Sequence, residues 1–545
     1  MCKRLLGLTF GLAASLVAMT GLASAETQAT PNQQAVAQAS PEPTPTPDPL
    51  TFHGYYRAYY FTRQNASNNP GVQFNFSPGA KYNSNAVNQA SFNMGVQLHL
   101  DYHFINSGFY VGGGYFYANP MNGPCSVAAN NANGMPCVHQ TPPNTNPDNT
   151  LPGFALSTFD EAYGGYTMGA LNVKAGDQII NTPWANPDLS RIKADAFQGA
   201  DATYFLPNGL NFDAMDMWQF QARGASTFQN TTLLTSYPAG GGGLEKNIYV
   251  PDCTNTNCIG IITPGFFMGK VGYVTPPSNT GNPWQVDGYL YSVADIVNMY
   301  WGDSRYTFSS VRDRPWVELQ GGWESNTGNS VVGKIQSSLF GLRAGVNVTK
   351  NITVTAAFDT LPWHTDQVYL PHGATCNNSN YQISTFRVSF KYFLPLQAGQ
   401  CFTNPSTGLT SVYYGGWASP YTDNWATDPI FTTSMIQGMA DRRAPGTSEK
   451  VVATFTSNNH RFVFFGTYAW YDYSNALVLE NTTEYDLDGA YRFSQWKGTG
   501  PYRGLMLRQR IGVRSQTNTY FPDAASYLGG FPLFKYSRSQ LEYDF

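Results

Sequence analysis

From Ser91 to Phe104 the chain alternates without a break. Phe92, Met94, Val96, Leu98, Leu100, Tyr102 and Phe104 occupy the even positions, and Ser91, Asn93, Gly95, Gln97, His99, Asp101 and His103 the odd ones. A period of two this strict predicts an extended strand with one apolar and one polar face. In a soluble sandwich the apolar face meets a second sheet. In a membrane barrel it meets lipid, and the polar face lines a wet interior.

The same pattern recurs from Leu50 to the last residue. Phe52, Tyr56 and Tyr60 oppose His53 and Arg57, while Trp218, Phe220 and Ala222 oppose Met217, Gln219, Gln221 and Arg223. Phe340, Leu342, Ala344, Val346 and Val348 oppose Arg343 and Asn347; Tyr485, Leu487, Tyr491 and Phe493 oppose Glu484, Asp486, Asp488 and Arg492. Leu505, Leu507, Ile511 and Val513 oppose Arg508, Arg510 and Arg514. These apolar faces are too many for one sandwich core, so a closed barrel that removes sheet edges is the better solution. Connections alternate in length as well. Short turns are expected at 105–108, 169–172, 207–209, 349–351 and 457–459, and long polar loops near 63–90, 119–153, 224–284 and 515–532. The reading is an all-β transmembrane antiparallel β-barrel of about 18 strands, with 16 the alternative, short periplasmic turns and long extracellular loops. Residues 380–446 do not divide cleanly into strands.

Composition supports one large unit: charged residues are 12% and aromatics 15% of the chain, a balance suited to aromatic girdles and too poor in charge for an ordinary cytoplasmic globule. Lys3, Arg4, the apolar run from Leu5 to Leu22 and Ala23-Ser24-Ala25 before Glu26 have the form of a secretory signal, with an uncleaved anchor as the alternative. Residues 1–25 are therefore expected to be a signal peptide cleaved near Ala25. Residues 26–49, which are rich in Pro, are expected to be a disordered periplasmic linker, and residues 50–545 the barrel. The formal charge is −4; without Lys3 and Arg4 it is −6, from 29 basic against 35 acidic residues. That balance excludes a nucleic-acid footprint. No later segment has the roughly 18 apolar residues a spanning helix needs, so any crossing is made by strands. Leu541, Tyr543 and Phe545 place an aromatic carboxyl terminus on an alternating strand, a feature suited to recognition by the barrel-assembly machinery.

Cys125 with Cys137 and Cys253 with Cys258 lie close together in long polar loops and are candidate disulfides of an oxidising compartment, with metal binding as the rival. The pairing of Cys376 and Cys401 is left open.

Two stretches resemble the OprD-family porins, 18-stranded outer-membrane channels for small solutes. The first runs Gly176-Asp177-Gln178, Thr182-Pro183, Asp188, Ser190-Arg191 and Phe197-Gln198-Gly199; the second runs from Glu484 to Phe493, then Arg503-Gly504-Leu505 and Arg508-Gln509-Arg510. Asp177 stands where the family usually has Arg. Alginate-export barrels are similar in pattern. The resemblance implies a third loop folded into the lumen, which makes residues 182–197 the expected constriction, with Arg191 and Lys193 facing Asp188 and Asp195. It also implies small, carboxylate-bearing solutes.

Arg57, Arg343, Arg508, Arg510 and Arg514 are expected to face the lumen as a ladder for anionic groups, since rings of one charge tune pore selectivity. The alternative is that they brace the wall by pairing with Glu484, Asp486 and Asp488. His99, Asp101 and His103 share a face, but neighbours on one strand face stand roughly 7 Å apart, and ordinary lumenal polarity is the simpler account. No catalytic motif, metal site or cofactor is expected; the best hydrolase pair is His364 with Asp366. The chain thus reads as an outer-membrane porin with lipid and small hydrophilic solutes as partners, as a monomer or a homo-oligomer. A surface adhesin with a closed lumen and a barrel-borne hydrolase are the alternatives.

Overall fold

The computed structural model describes residues 49–66, 89–121, 155–189, 192–235, 260–276, 283–311, 313–329, 335–362, 366–369, 375–377, 380–382, 401–403, 410–414, 417–422, 427–436, 438–440, 446–474, 479–494, 504–518 and 533–545. Eighteen strands form one closed sheet. They are β1 (Leu50–Ala66), β2 (Gln89–His103), β3 (Phe109–Pro120), β4 (Leu156–Met168), β5 (Leu171–Gln178), β6 (Ala196–Phe205), β7 (Leu210–Gln221), β8 (Phe266–Val274) and β9 (Trp284–Val293). The second half comprises β10 (Val297–Thr307), β11 (Trp316–Asn326), β12 (Gln336–Thr349), β13 (Ile352–Leu361), β14 (Gly446–Thr456), β15 (Phe462–Ser474), β16 (Leu479–Arg492), β17 (Leu505–Asn518) and β18 (Leu533–Asp544).

Each strand pairs antiparallel with its neighbours in sequence, and β18 returns to β1 in a register running from Tyr55↔Asp544 to Ala66↔Leu533. Phe545 completes that ladder, exchanging main-chain hydrogen bonds of 3.1 and 3.0 Å with Gly54. No edge remains, so the strand backbone is satisfied without water. The alternation sorts the side chains as expected on most strands. Leu100, Phe340, Leu487 and Ile511 are exposed on the outer wall, while Gln97, Glu318, Glu484 and Arg510 are buried on the inner one.

Three expectations are corrected. The long loop drawn over 224–284 contains β8, whose inward Phe266 and Met268 are as apolar as its outward Phe267 and Val271. Alternation in polarity is therefore lost where the inner face meets protein. Residues 362–445, which straddle the segment that resisted division, contribute no barrel strand among the described residues; they connect β13 to β14, which pair directly. Phe220, expected beside Trp218 on the apolar outer face, points inward and is buried, while Trp218 is exposed. The cause is a bulge: Gln198 pairs with Gln219 and Gly199 with Met217, so Trp218 is the extra residue and the faces exchange beyond it. A second bulge in β4 turns both Asp160 and Glu161 inward.

Short connections do gather on one rim, at 104–108, 169–170, 206–209, 350–351 and 457–461. The opposite rim carries the connections 67–88, 121–155, 222–265, 362–445 and 519–532, but also three brief ones, 294–296, 327–335 and 475–478.

Leu487 lies mid-strand on the outer face of β16. Exchange for Arg should destabilise the barrel in vesicles by about 2–4 kcal/mol, the cost of a lipid-facing cation at mid-depth. Urea unfolding followed by tryptophan fluorescence measures it, and Leu487→Ala provides the reference for lost area alone.

Candidate functional site

An 18-stranded barrel is too wide for its own inward side chains to fill. Among the described residues, two segments fill much of it instead. The first is the β5–β6 connection, residues 179–195. Its hairpin-like start is closed by Thr182, whose amide and hydroxyl both reach Ala185 O at 2.9 and 2.8 Å, and its return by Asp195 N to Pro187 O at 2.8 Å. Asp188 adopts a positive φ of 41°, a conformation Asp tolerates better than most residues. Its carboxylate meets the Arg223 guanidinium, both fully buried, and the Arg223 amide donates to Asp195 Oδ1.

The second segment comes from the β13–β14 connection and comprises residues 417–422, 427–436 and 438–440. Trp417 is completely buried, with its ring 5.2 Å from Trp184 and 5.7 Å from Trp301. Tyr421 packs against Phe197, Phe220 and Phe266. The two segments are joined directly by Asn186 Nδ2 to Thr427 O at 2.8 Å. An aromatic core thus occupies the lumen beside β6–β10.

Between these segments and the wall from β9 to β17 lies a cavity of about 450 Å³. Arg305, Arg343, Lys450, Arg508 and Arg510 line it. Glu318 accepts from both Arg305, at 2.9 Å, and Arg343 Nε, at 2.5 Å. Asp488 accepts from Arg508, at 2.6 and 2.8 Å, and forms an ion pair with Arg510 Nε at 2.8 Å. In each cluster one carboxylate serves two guanidiniums, and Asp188, Asp303, Asp428 and Asp486 line the same cavity. Aromatic faces support these cations: Trp316 lies 4.2 Å from Arg305, and Phe431 lies 4.3 Å from Arg343.

The residues singled out in the sequence fall into several places. Arg343, Arg508 and Arg510 stand together at the cavity, and Asp188 borders it while paired with Arg223. Lys193 and Asp195 are fully buried; the Lys193 ammonium donates to Ala194 O at 2.8 Å. Burial pushes that ammonium below the usual lysine range, against the pull of Asp160 and Asp195. Arg57 pairs with Glu542 at 2.6 Å, and Arg514 is buried outside the cavity lining. Of the three acids offered as brace partners, only Asp488 takes arginines among these contacts; Glu484 and Asp486 accept the Ile436 and Met435 amides, at 2.7 and 3.2 Å. Arg191, the side chains of the six cysteines from Cys125 to Cys401, and the His364 and Asp366 side chains lie outside the described residues. His99 meets Glu161, Asp101 accepts from Tyr163 Oη at 2.5 Å and His103 stacks on Tyr110. Among the described residues no three His, Cys, Asp or Glu are grouped to hold a metal ion.

Arg305, Lys450, Trp316 and Phe431 were not singled out. Arg305 carries a readable signal, since Asp303 and Arg305 alternate with Tyr300, Gly302 and Ser304. Phe431 carries none, because no period marks an irregular segment.

Breaking a buried ion pair by removing one partner costs about 3–5 kcal/mol. Asp188→Ala should therefore loosen residues 182–195 while the strands stay intact. Hydrogen exchange should show lost protection at the Thr182 and Asp195 amides and unchanged protection in β17 and β18.

By sequence the chain matches no protein-family model and no curated protein. By structure it is similar to OpdK of Pseudomonas aeruginosa, solved with vanillate, at 12% identity and a TM-score of 0.57, covering 91% of this chain and 98% of that one. It is also similar to a BenF-like porin from Pseudomonas fluorescens, at 11% identity and 0.58, with 91% and 98% covered. A third is OccK2 (OpdF) of Pseudomonas aeruginosa in complex with glucuronate, at 11% identity and 0.55, with 91% and 96% covered. The fold is that of the OprD/OccK porins, the group to which the two motif-bearing stretches pointed.

Proposed function

We propose that the chain is an outer-membrane porin that admits small hydrophilic solutes by passive diffusion and favours those bearing a carboxylate. The observation that carries this reading is the clustering of guanidiniums on one wall of the cavity: Glu318 is shared by Arg305 and Arg343, Asp488 by Arg508 and Arg510, and Lys450 lines the same cavity. A carboxylate entering the cavity meets preformed guanidinium donors whose geometry matches it. The wall is low in dielectric and water is confined, so these charges act more strongly than at an open surface. Vanillate and glucuronate, which accompany two barrels of the same fold, are both carboxylates. Export by the signal at residues 1–25 and assembly through the strand ending at Phe545 complete the reading.

The test is a planar bilayer holding the refolded chain under a salt gradient. Discrete conductance steps are expected, with a reversal potential on the anion-selective side. Arg343→Ala and Arg508→Ala should each move that potential toward zero, and the double exchange should move it further. A folded barrel that stays silent and excludes sugars from liposomes would overturn the porin reading in favour of a closed adhesin. A conducting barrel whose selectivity ignores both exchanges would overturn the carboxylate preference alone.

A further inference from the structure

The segment that contributes Trp417 to Ala440 has no regular secondary structure in its described part. Several of its backbone amides take partners from the wall, and the wall supplies them in a pattern. Glu324 of β11 accepts the Ala418 amide at 2.9 Å. Asp359 of β13 accepts the Thr432 amide at 2.7 Å while its other oxygen holds Gln320 at 2.6 Å. Asp486 and Glu484 of β16 take the amides of Met435 and Ile436. On the strands between, Lys450 of β14 donates to Thr433 O at 2.6 Å, and Tyr471 of β15 donates to Thr432 O at 2.7 Å. Every strand from β13 to β16 thus reaches the segment by a polar side chain.

The apolar contacts are equally local. Ile436 is fully buried over Gly512 of β17, an inward position where a Cβ would come within 2.6 Å of its δ-methyl and 2.8 Å of Asp486 Oδ1. At Gly322 of β11 a Cβ would stand 2.4 Å from Tyr300 O on the next strand and 2.9 Å from the Trp301 and Trp417 rings. The other inward segment repeats the device, with Ile192 over Gly95 of β2 at 3.1 Å from the same hypothetical atom. Missing side chains on the wall thus form sockets, and buried carboxylates beside them form amide receptors.

We propose that the described residues between Trp417 and Ala440 form a seated plug, and that Asp359, Glu484, Asp486 and Gly512 are positioning residues that set the width of the passage. This rests on the porin reading of the lumen. The cations at the cavity select by charge; the seat selects by size. A charge-assisted hydrogen bond from a carboxylate to a backbone amide is strong in a confined site, and its loss leaves the amide without a partner. Filling the Gly512 socket displaces Ile436 directly, since protein interiors have no slack of that size.

The decisive readout is the entry of neutral sugars, which is blind to the charge of the removed acids. Asp359→Ala, Gly512→Val and their combination are refolded and checked for strand content and for the heat-dependent gel migration of a closed barrel; Gly512→Val keeps every charge, and Asp359→Ala keeps the socket. Each single variant is expected to raise single-channel conductance at least about twofold and to admit a trisaccharide that the native chain excludes. Conducting native protein with unchanged conductance and exclusion limit in both folded variants overturns the seat and leaves the porin reading standing. A silent native chain with conducting variants supports the seat and overturns the passive porin. Silence in all of them overturns both.

Discussion

The pairing of β18 with β1 is the interaction on which the rest of the molecule depends. An isolated strand in lipid would strand its amides and carbonyls, and no gain in side-chain burial could offset a whole ladder of them. Closing the sheet removes that cost everywhere at once. It also fixes the circumference, and the circumference fixes what the interior must do. Eighteen strands enclose more space than inward side chains can occupy, so the chain fills part of the lumen with its own connections.

How the filling is done explains the uneven chemistry of the inner wall. Beside β6–β10 the inward face includes Phe197, Met217, Phe266, Met268 and Tyr291, apolar where they meet Trp184, Trp417 and Tyr421, while Lys270 and Asp287 pair further along it. From β10 to β18 the inner wall carries Arg305, Glu318, Arg343, Lys450, Asp488, Arg508, Arg510 and Arg538. One inner surface therefore meets an aromatic protein core along one arc and carries charged side chains, some lining the cavity and some holding the second inward segment, along the other.

That division also marks where the sequence is legible. Strands with water on one side and lipid on the other announce themselves, as Ser91–Phe104 and Glu484–Phe493 do, and they yield the fold class, the closing strand and the outward faces. Strand β8 does not, because Phe266 and Met268 on its inner face are as apolar as Phe267 and Val271 on its outer one, and Lys270 is the single charge in the strand. The single extra residue at Trp218 reverses the faces of β7, and no period detects it. At the cavity, Arg343, Arg508 and Arg510 are visible as cations on polar faces, but that Glu318 and Asp488 each serve two arginines is a property of cross-strand register. Glu484 and Asp486 look like arginine partners from their spacing along β16. Their acceptance of amides from Met435 and Ile436 depends on a segment whose irregular path has no sequence signature.

Asn186 holds Thr427 across a gap of 241 residues in the chain, and the Leu233 amide holds Pro420. Contacts of such long range carry a large loop-closure cost until the intervening strands are in register. Residues 179–195 must therefore wait, through most of the barrel's assembly, for the segment that completes their packing. The packing between the two inward segments is consequently a late product of folding: the lumen of a nascent barrel is at its emptiest before the Trp184–Trp417 contact forms, and the filled interior of the mature protein records an order of events as well as a set of contacts.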